Sequence, residues 1–133
     1  MDGIFDFGGA LSQQLVGLPT AYSFLDARNA ETWRRLKKAN IQFAFGTAQG
    51  APVALRIAAM KLSRATKDPA FAMQSITRNA AALAGATDVG AIVPGAYADL
   101  VLWSGHPLDA TSRLKSTMVS GMTVYRANPL EEK

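Results

Sequence analysis

Catalytic chemistry at a side chain needs a nucleophile, a base or a metal, and this chain offers few groups for any of them. It has one histidine, His106, and no cysteine in 133 residues. Disulfides and thiolate metal sites are therefore excluded. A catalytic divalent metal takes about three protein ligands of His or carboxylate type. A base must also handle the proton of the attacking water. His106 has no acid or thiol at ligand spacing, and it reads as a surface turn residue before Pro107 and Leu108. The segment GTAQGAP, residues 46–52, lacks the Lys and Ser/Thr of a phosphate-binding loop. FGGA, residues 7–10, is too short to count as one. Thr47, Gln49 and Ser23 remain as polar side chains that can meet a substrate. Asp68 stands directly before Pro69. Helix N-capping, with proline at the first helical position, explains that pair fully.

Those groups need a scaffold, and the composition supplies one. Apolar residues make up 49% of the chain and charged residues 18%. That balance is globular rather than disordered, and the length is that of one domain. Net charge is +4, from 14 Lys and Arg against 10 Asp and Glu. The dense basic cluster is Arg34, Arg35, Lys37 and Lys38. A nucleic-acid surface needs more charge with interleaved aromatics, so the cluster reads as a solvated helix face, and no nucleic-acid partner is expected. No apolar run reaches the ~18 residues of a membrane span. The N-terminus, MDGIFDFGGALSQQLVG, carries two acids and no base before its apolar residues, the wrong charge for a secretory signal. With no cysteine, this favours a cytoplasmic chain.

The order of elements follows from periodicity and caps. Residues 1–20 are glycine-rich with poor periodicity and read as irregular, with a short helix at 10–16. Asn29 is expected to cap a helix over 30–39, with Glu31 in its first turn against the dipole. Trp33 and Leu36 face its core side, and Asn40 ends it. Ile41 to Thr47 reads as a short buried strand, with Ile41, Phe43 and Phe45 on one face and Gln42 and Ala44 on the other. Pro52 opens a second helix running to about Arg64, with Val53, Ile57, Met60 and Lys61, or Leu55, Ala58 and Leu62, at helical spacing. A helix from Asp68-Pro69 through Ile76 offers Phe71, Met73 and Ile76 to the core. Asn79 is expected to recap a last short helix, closed by Gly85 as the C′ residue. From Val89 the period becomes two. Strands are expected over 98–103, 114–119 and 122–126, with Ser120-Gly121 as a two-residue hairpin turn. The tail ANPLEEK is polar and expected to fray. The reading is thus α/β over 1–86, with an irregular start over 1–28, then antiparallel β over 87–126 and a tail over 127–133.

GAIVPGAYADLVLWSGHPLD, residues 90–109, resembles the C-terminal signature of the amidohydrolase superfamily, commonly G-x-I-x-x-G-x-x-A-D-L-V-hydrophobic-W-x-x-x-P-L. The imidazolonepropionase-like and dipeptidase-like branches come closest to it. Further segments agree in order and spacing. SITRNAAALAGA resembles the family helix T-x-N-P-A-x-x-L-G, with Ala80 where proline usually stands. IQFAFGTA resembles the eighth barrel strand, which usually ends G-T-D. MVSGMTVYR resembles the closing hairpin. Together the resemblance spans roughly residues 40–126.

The resemblance implies the last βα units of a TIM-type barrel, followed by strands of a small β-sandwich built from both chain ends. A complete barrel takes ~250 residues, more than this chain has. The family hydrolyses C–N and related bonds, in substrates such as cyclic amides and dipeptides, with zinc or another divalent metal activating water. Its ligands come from an H-x-H on the first strand, a Lys or Glu, two later His, and the Asp that ends strand eight. That last position is occupied here by Ala48, which can neither ligate a metal nor accept a proton. The resemblance therefore implies no catalytic residue and no metal ligand in this chain, and it leaves Thr47 and Gln49 as substrate-contacting residues at the strand end. An alternative register would look to the next acid, Asp68. Asp99 would accept backbone N–H groups in the turn before its strand, and Trp103 would pack in the core or at a sheet edge. Three readings stay open: a fragment of a longer amidohydrolase-like chain, inactive alone and covered by its missing half or by self-association; a stand-alone non-catalytic binding module; and a hydrolase completed by another chain.

Overall fold

The computed structural model describes residues 5–6, 15–19, 27–46 and 53–128. The chain divides into two compact units, Met1–Thr87 and Asp88–Lys133. In the first, the order is β1 (Phe5–Asp6), β2 (Leu15–Pro19), α1 (Ala27–Lys38), β3 (Gln42–Gly46), α2 (Val53–Thr66), α3 (Pro69–Gln74) and α4 (Arg78–Leu83). The sheet order is β1-β2-β3. β1 pairs antiparallel with β2, and β2 pairs parallel with β3, Leu15 opposite Gln42 through Pro19 opposite Gly46. Parallel neighbours need a crossover, and α1 supplies it.

Strand β2 corrects the sequence expectation. Leu15 and Val16 fall in the short helix expected over 10–16, and they begin a strand instead; residues 10–14 lie outside the described residues. Gly17 and Pro19 are poor strand formers, so local preference hides a strand that pairing with β3 creates.

Helix α1 also begins earlier than its caps suggest. Asn29 lies inside the helix rather than at its N-cap, and Glu31 lies beyond the first turn. Glu31 instead pairs with Arg34 at 3.2 Å and Arg35 at 3.1 Å, one turn along the same face. The other end matches expectation. Asn40 takes φ 55, and the amides of Asn40 and Ile41 return to the carbonyls of Lys37 and Leu36, which closes a Schellman motif.

The core of this unit is aromatic at β3 and small at α2. Phe43, Ala44 and Phe45 are all buried, so both faces of β3 are covered. Trp33, Phe45, Phe43 and Phe71 form a chain of edge-to-face rings with centroids 5.8, 5.5 and 5.5 Å apart. That geometry puts the positive ring edge on the negative face. On α2 the buried stripe is Ala54, Ala58, Ala59 and Leu62. Ala58 and Leu62 agree with one expected stripe, whereas Val53 is 61% exposed. Alanines at four-residue spacing let the helix axis approach its neighbours closely. Arg34 ties α1 to α2 by donating from Nε to the Ala65 carbonyl at 3.0 Å.

Short helices follow. Asp68 caps α3 through Oδ1, which accepts from the Phe71 amide at 2.9 Å, with Pro69 at the helix start. Helix α3 ends at Gln74, before the expected Ile76. Thr77, not Asn79, is the N-cap position of α4. Gly85 stands at C′ with φ +74. The amides of Gly85 and Ala86 bond to the carbonyls of Ala82 and Ala81, and a Cβ at residue 85 would incur the left-handed penalty.

The second unit is an antiparallel sheet of β4 (Leu100–Trp103), β5 (Leu114–Val119) and β6 (Met122–Arg126), in that order. β4 is two residues shorter at its start than expected. Ser120 and Gly121 take φ 48 and 80, the two positive values of a type I′ hairpin. The ladder shifts register between Leu102 and Trp103 and again between Thr117 and Met118.

Candidate functional site

The end of β3 is where the sequence places the substrate contacts. The strand terminates at Gly46, which is exposed. Thr47, Ala48 and Gln49, and Ser23, lie outside the described residues. The described geometry is therefore that of the support beneath the strand end. Asn79 is buried, and its Nδ2 donates to the Phe43 carbonyl at 2.8 Å. The Phe45 amide donates to the Ser75 carbonyl at 3.0 Å. Ser75 is itself buried and donates from Oγ to the Ala72 carbonyl at 2.7 Å. From the sequence, Asn79 reads as a helix cap and Ser75 does not stand out. The available signal was a polar residue inside an alanine-rich helix, where its side chain must find a partner.

The charged groups of this unit are engaged with one another. The Lys37 ammonium lies 2.8 Å from Asp68 Oδ2 and 6.0 Å from the centroid of the Phe71 ring. Hydrogen bonding from Lys37, then from the Phe71 amide, holds the Asp68 carboxyl below the usual carboxylate range. Hydrogen bonding from Arg35, then Arg34, lowers Glu31 likewise. Asp68 is thus a cap and an ion-pair partner rather than a free base. The cluster Arg34, Arg35 and Lys37 is matched by carboxylates within its own unit.

A carboxylate whose folded pKa is depressed stabilises the fold above its unfolded pKa, and the contribution is lost as pH falls through the folded value. Asp68→Ala is expected to cost about 0.5–2 kcal/mol at neutral pH through the lost cap. Asp68→Asn, which keeps a capping oxygen and loses only a half-exposed ion pair, should cost about 0–1 kcal/mol. Urea melts of the three proteins at pH 7 and in acid check this. The gap between wild type and Asp68→Ala should narrow below the carboxylate range, and a gap independent of pH would refute the ionic part.

In the second unit the signature stretch forms turns and one strand. The Ala96 amide bonds to the Val93 carbonyl at 3.2 Å across Pro94-Gly95, with φ 88 at Gly95. That is a type II turn. Asp99 does accept a backbone N–H, but not in its own turn: Oδ1 takes the Ser120 amide at 2.7 Å. The Gly121 amide bonds to the Ala98 carbonyl at 3.1 Å. The A-D-L aspartate therefore ties the entrance of β4 to the hairpin between β5 and β6. His106 is exposed, and its Nδ1 accepts from the Leu108 amide at 3.2 Å, as a turn residue. Trp103 is half-buried at the end of β4.

No group of three or more His, Cys, Asp or Glu among the described residues can hold a metal ion. His106 serves its own turn and Asp68 faces Lys37, so the described donors do not fit a catalytic metal. No helix of the described residues is long and apolar enough to cross a membrane.

A parallel β-α-β unit with helices, followed by an antiparallel sheet, is a mixed architecture shared with known hydrolases. Residues 14–126 match the amidohydrolase family, and the chain belongs to that family. It is similar to the crystal structure of an amidohydrolase from Thermotoga maritima MSB8, with 31% identity and a TM-score of 0.66 over 74% of this chain and 26% of that one. It also shares its fold with a prolidase crystallised with N-methylphosphonate-L-proline, with 23% identity and a TM-score of 0.61 over 76% of this chain and 27% of that one. The chain thus spans about a quarter of the length of these structures. No curated protein matches it in sequence.

Proposed function

We propose that this chain is the C-terminal segment of an amidohydrolase-like hydrolase and is not catalytic alone. In this reading β2-α1-β3-α2 are the last βα units of a TIM-type barrel, within residues 1–86. Residues 87–126 are sandwich strands, and 127–133 are a tail. The carrying observation is the partial overlap: the relatives extend over about four times the length matched here, from 26% coverage. The residue identities agree with it. Ala48 stands where the family places its strand-eight aspartate, and the one histidine is held in a turn. Thr47 and Gln49 would contact substrate at the mouth of the completed barrel. The metal, zinc or another divalent ion, and the base would come from elsewhere.

The partner in this reading is the missing barrel half or a second copy. The second unit exposes Val101, Leu102, Val119, Met122, Val124 and Tyr125 on one short sheet. Successive residues of a strand point to opposite faces, so these side chains are divided between both faces of the sheet, and their exposure supports a covering partner.

The test is metal content and turnover of the purified chain. After equilibration with zinc and desalting, it should retain far less than one equivalent and hydrolyse neither cyclic amides nor dipeptides. Stoichiometric zinc together with turnover would sink the proposal and favour a hydrolase that completes its site with another chain.

A further inference from the structure

A strand at the edge of a sheet presents unpaired backbone groups, and proteins blunt such edges with charge, proline or bulges. In the second unit the order β4-β5-β6 leaves the outer sides of β4 and β6 with no described strand beyond them. The two edges differ. Thr117 and Met118 of β5 pair with Tyr125 and Thr123 of β6, so Val124 is the extra residue of a bulge, which bends that strand. β6 also ends on the exposed Arg126. β4 reads LVLW, without charge or proline. Its irregularity lies on its neighbour: Leu102 and Trp103 pair with Ser116 and Leu114, so the extra residue is Lys115 of β5. The Ser104 amide donates to the Arg113 carbonyl at 2.9 Å, and the Ala98 carbonyl accepts from the Gly121 amide at 3.1 Å. Alternate residues of a strand direct their backbone groups to the same edge. Leu100 and Leu102 therefore face β5 together with Ala98 and Ser104, and the amide and carbonyl of Val101 face outward.

We propose that a second copy of this chain pairs antiparallel along the outer edge of β4, with a two-fold axis at Val101, so that two three-stranded sheets become one continuous sheet. This deepens the proposed function by choosing the second copy as the partner, and it rests on that reading. Symmetry in the sequence carries the choice. Leu100-Val101-Leu102 reads the same in both directions. A two-fold pairing there sets Val101 opposite Val101 and Leu100 opposite Leu102, apolar on apolar on each face. That self-complementarity is what an isologous contact requires. Val101 and Leu102 are 53% and 62% exposed, so the pairing has apolar surface to bury. Charge does not oppose it. Asp99 stands two residues from the axis, so the two copies of Asp99 lie four residues apart, about 14 Å at ~3.4 Å per residue. That exceeds the screening length of about 8 Å at physiological salt. The β6 edge would instead bring a bulge and Arg126 to the seam.

Sedimentation equilibrium and residue-level hydrogen exchange of the purified chain read the pairing. The wild type is expected to approach twice the chain mass as concentration rises. The Val101 amide should exchange about tenfold more slowly in the dimer than in dilute monomer, the scale of one hydrogen bond gained. Val101→Pro removes that amide, and an edge position whose N–H points outward tolerates proline. This variant should sediment as a monomer with its Leu100 and Leu102 amides still protected. If those amides lose protection, the sheet itself has been lost, and Val101→Lys decides instead by setting like charges opposite each other on the axis: a monomer supports the pairing and a dimer overturns it. Met122→Lys, on β6 at a residue 69% exposed, should leave the dimer intact. Dissociation by Met122→Lys, or a dimer of Val101→Pro with its sheet intact, overturns the proposal. A monomeric wild type overturns it too, and leaves the edge to a strand of the missing part. None of these readouts involves metal or turnover, so a failure of the pairing is told apart from a failure of the proposed function.

Discussion

Phe43→Ala is expected to destabilise the chain by about 3–5 kcal/mol, a large part of the roughly 5–15 kcal/mol typical of a whole domain. Phe43 is 0% exposed. Its ring meets Phe45 on its own strand and Phe71 on α3, both edge to face at 5.5 Å. Truncation removes the transfer free energy of the ring and leaves a cavity that the neighbouring rings cannot fill without leaving their contacts. The same residue's carbonyl takes the Asn79 donor, so any shift of the backbone toward the cavity also strains a buried hydrogen bond. Urea denaturation followed by circular dichroism checks the value. A loss under about 1 kcal/mol, the scale of a single methylene, would mean that the ring is not packed as described.

Leu62→Ala should follow at about 2–5 kcal/mol. Leu62 is 0% exposed and continues the buried stripe of Ala54 and Ala58 along α2. It is the one large side chain in that stripe, so the alanines around it cannot close over the void. Val53→Ala on the same helix is the control. At 61% exposure it should stay within about 0.5 kcal/mol of wild type, because the helix gains in propensity what little contact it loses. Equal effects at both positions would contradict the assignment of the buried face.

The parts legible in the sequence were those fixed by local chemistry. Asp68-Pro69 announces the start of α3, and Gly85 the end of α4. Ser120-Gly121 announces a hairpin, because that turn demands positive φ at both positions. The parts that were hidden depend on partners far away in the chain. β2 contains Gly17 and Pro19, and its strand state comes from pairing with residues 42–46. Asn29 has the right type for a cap, yet α1 begins before it. Asn79 resembles a cap for the same reason, whereas its partner lies on β3. Asp99 is legible as an acceptor for a backbone N–H, but the donor is Ser120, 21 residues away. For the site itself, Thr47, Ala48 and Gln49 lie outside the described residues, and the expectation at that strand end rests on residue type: a methyl side chain at Ala48 has no lone pair to offer a metal or a proton.

The chain has two tryptophans, and they fall one in each compact unit: Trp33 in Met1–Thr87 and Trp103 in Asp88–Lys133. Trp33 is 5% exposed and meets Phe45 edge to face, whereas Trp103 is only partly shielded at the end of β4. The molecule therefore carries two intrinsic fluorophores in unlike surroundings, the first shielded from aqueous quenchers and the second partly accessible to them. Replacing either indole by phenylalanine leaves a single emitter, so the melting of each unit can be followed separately without any added dye.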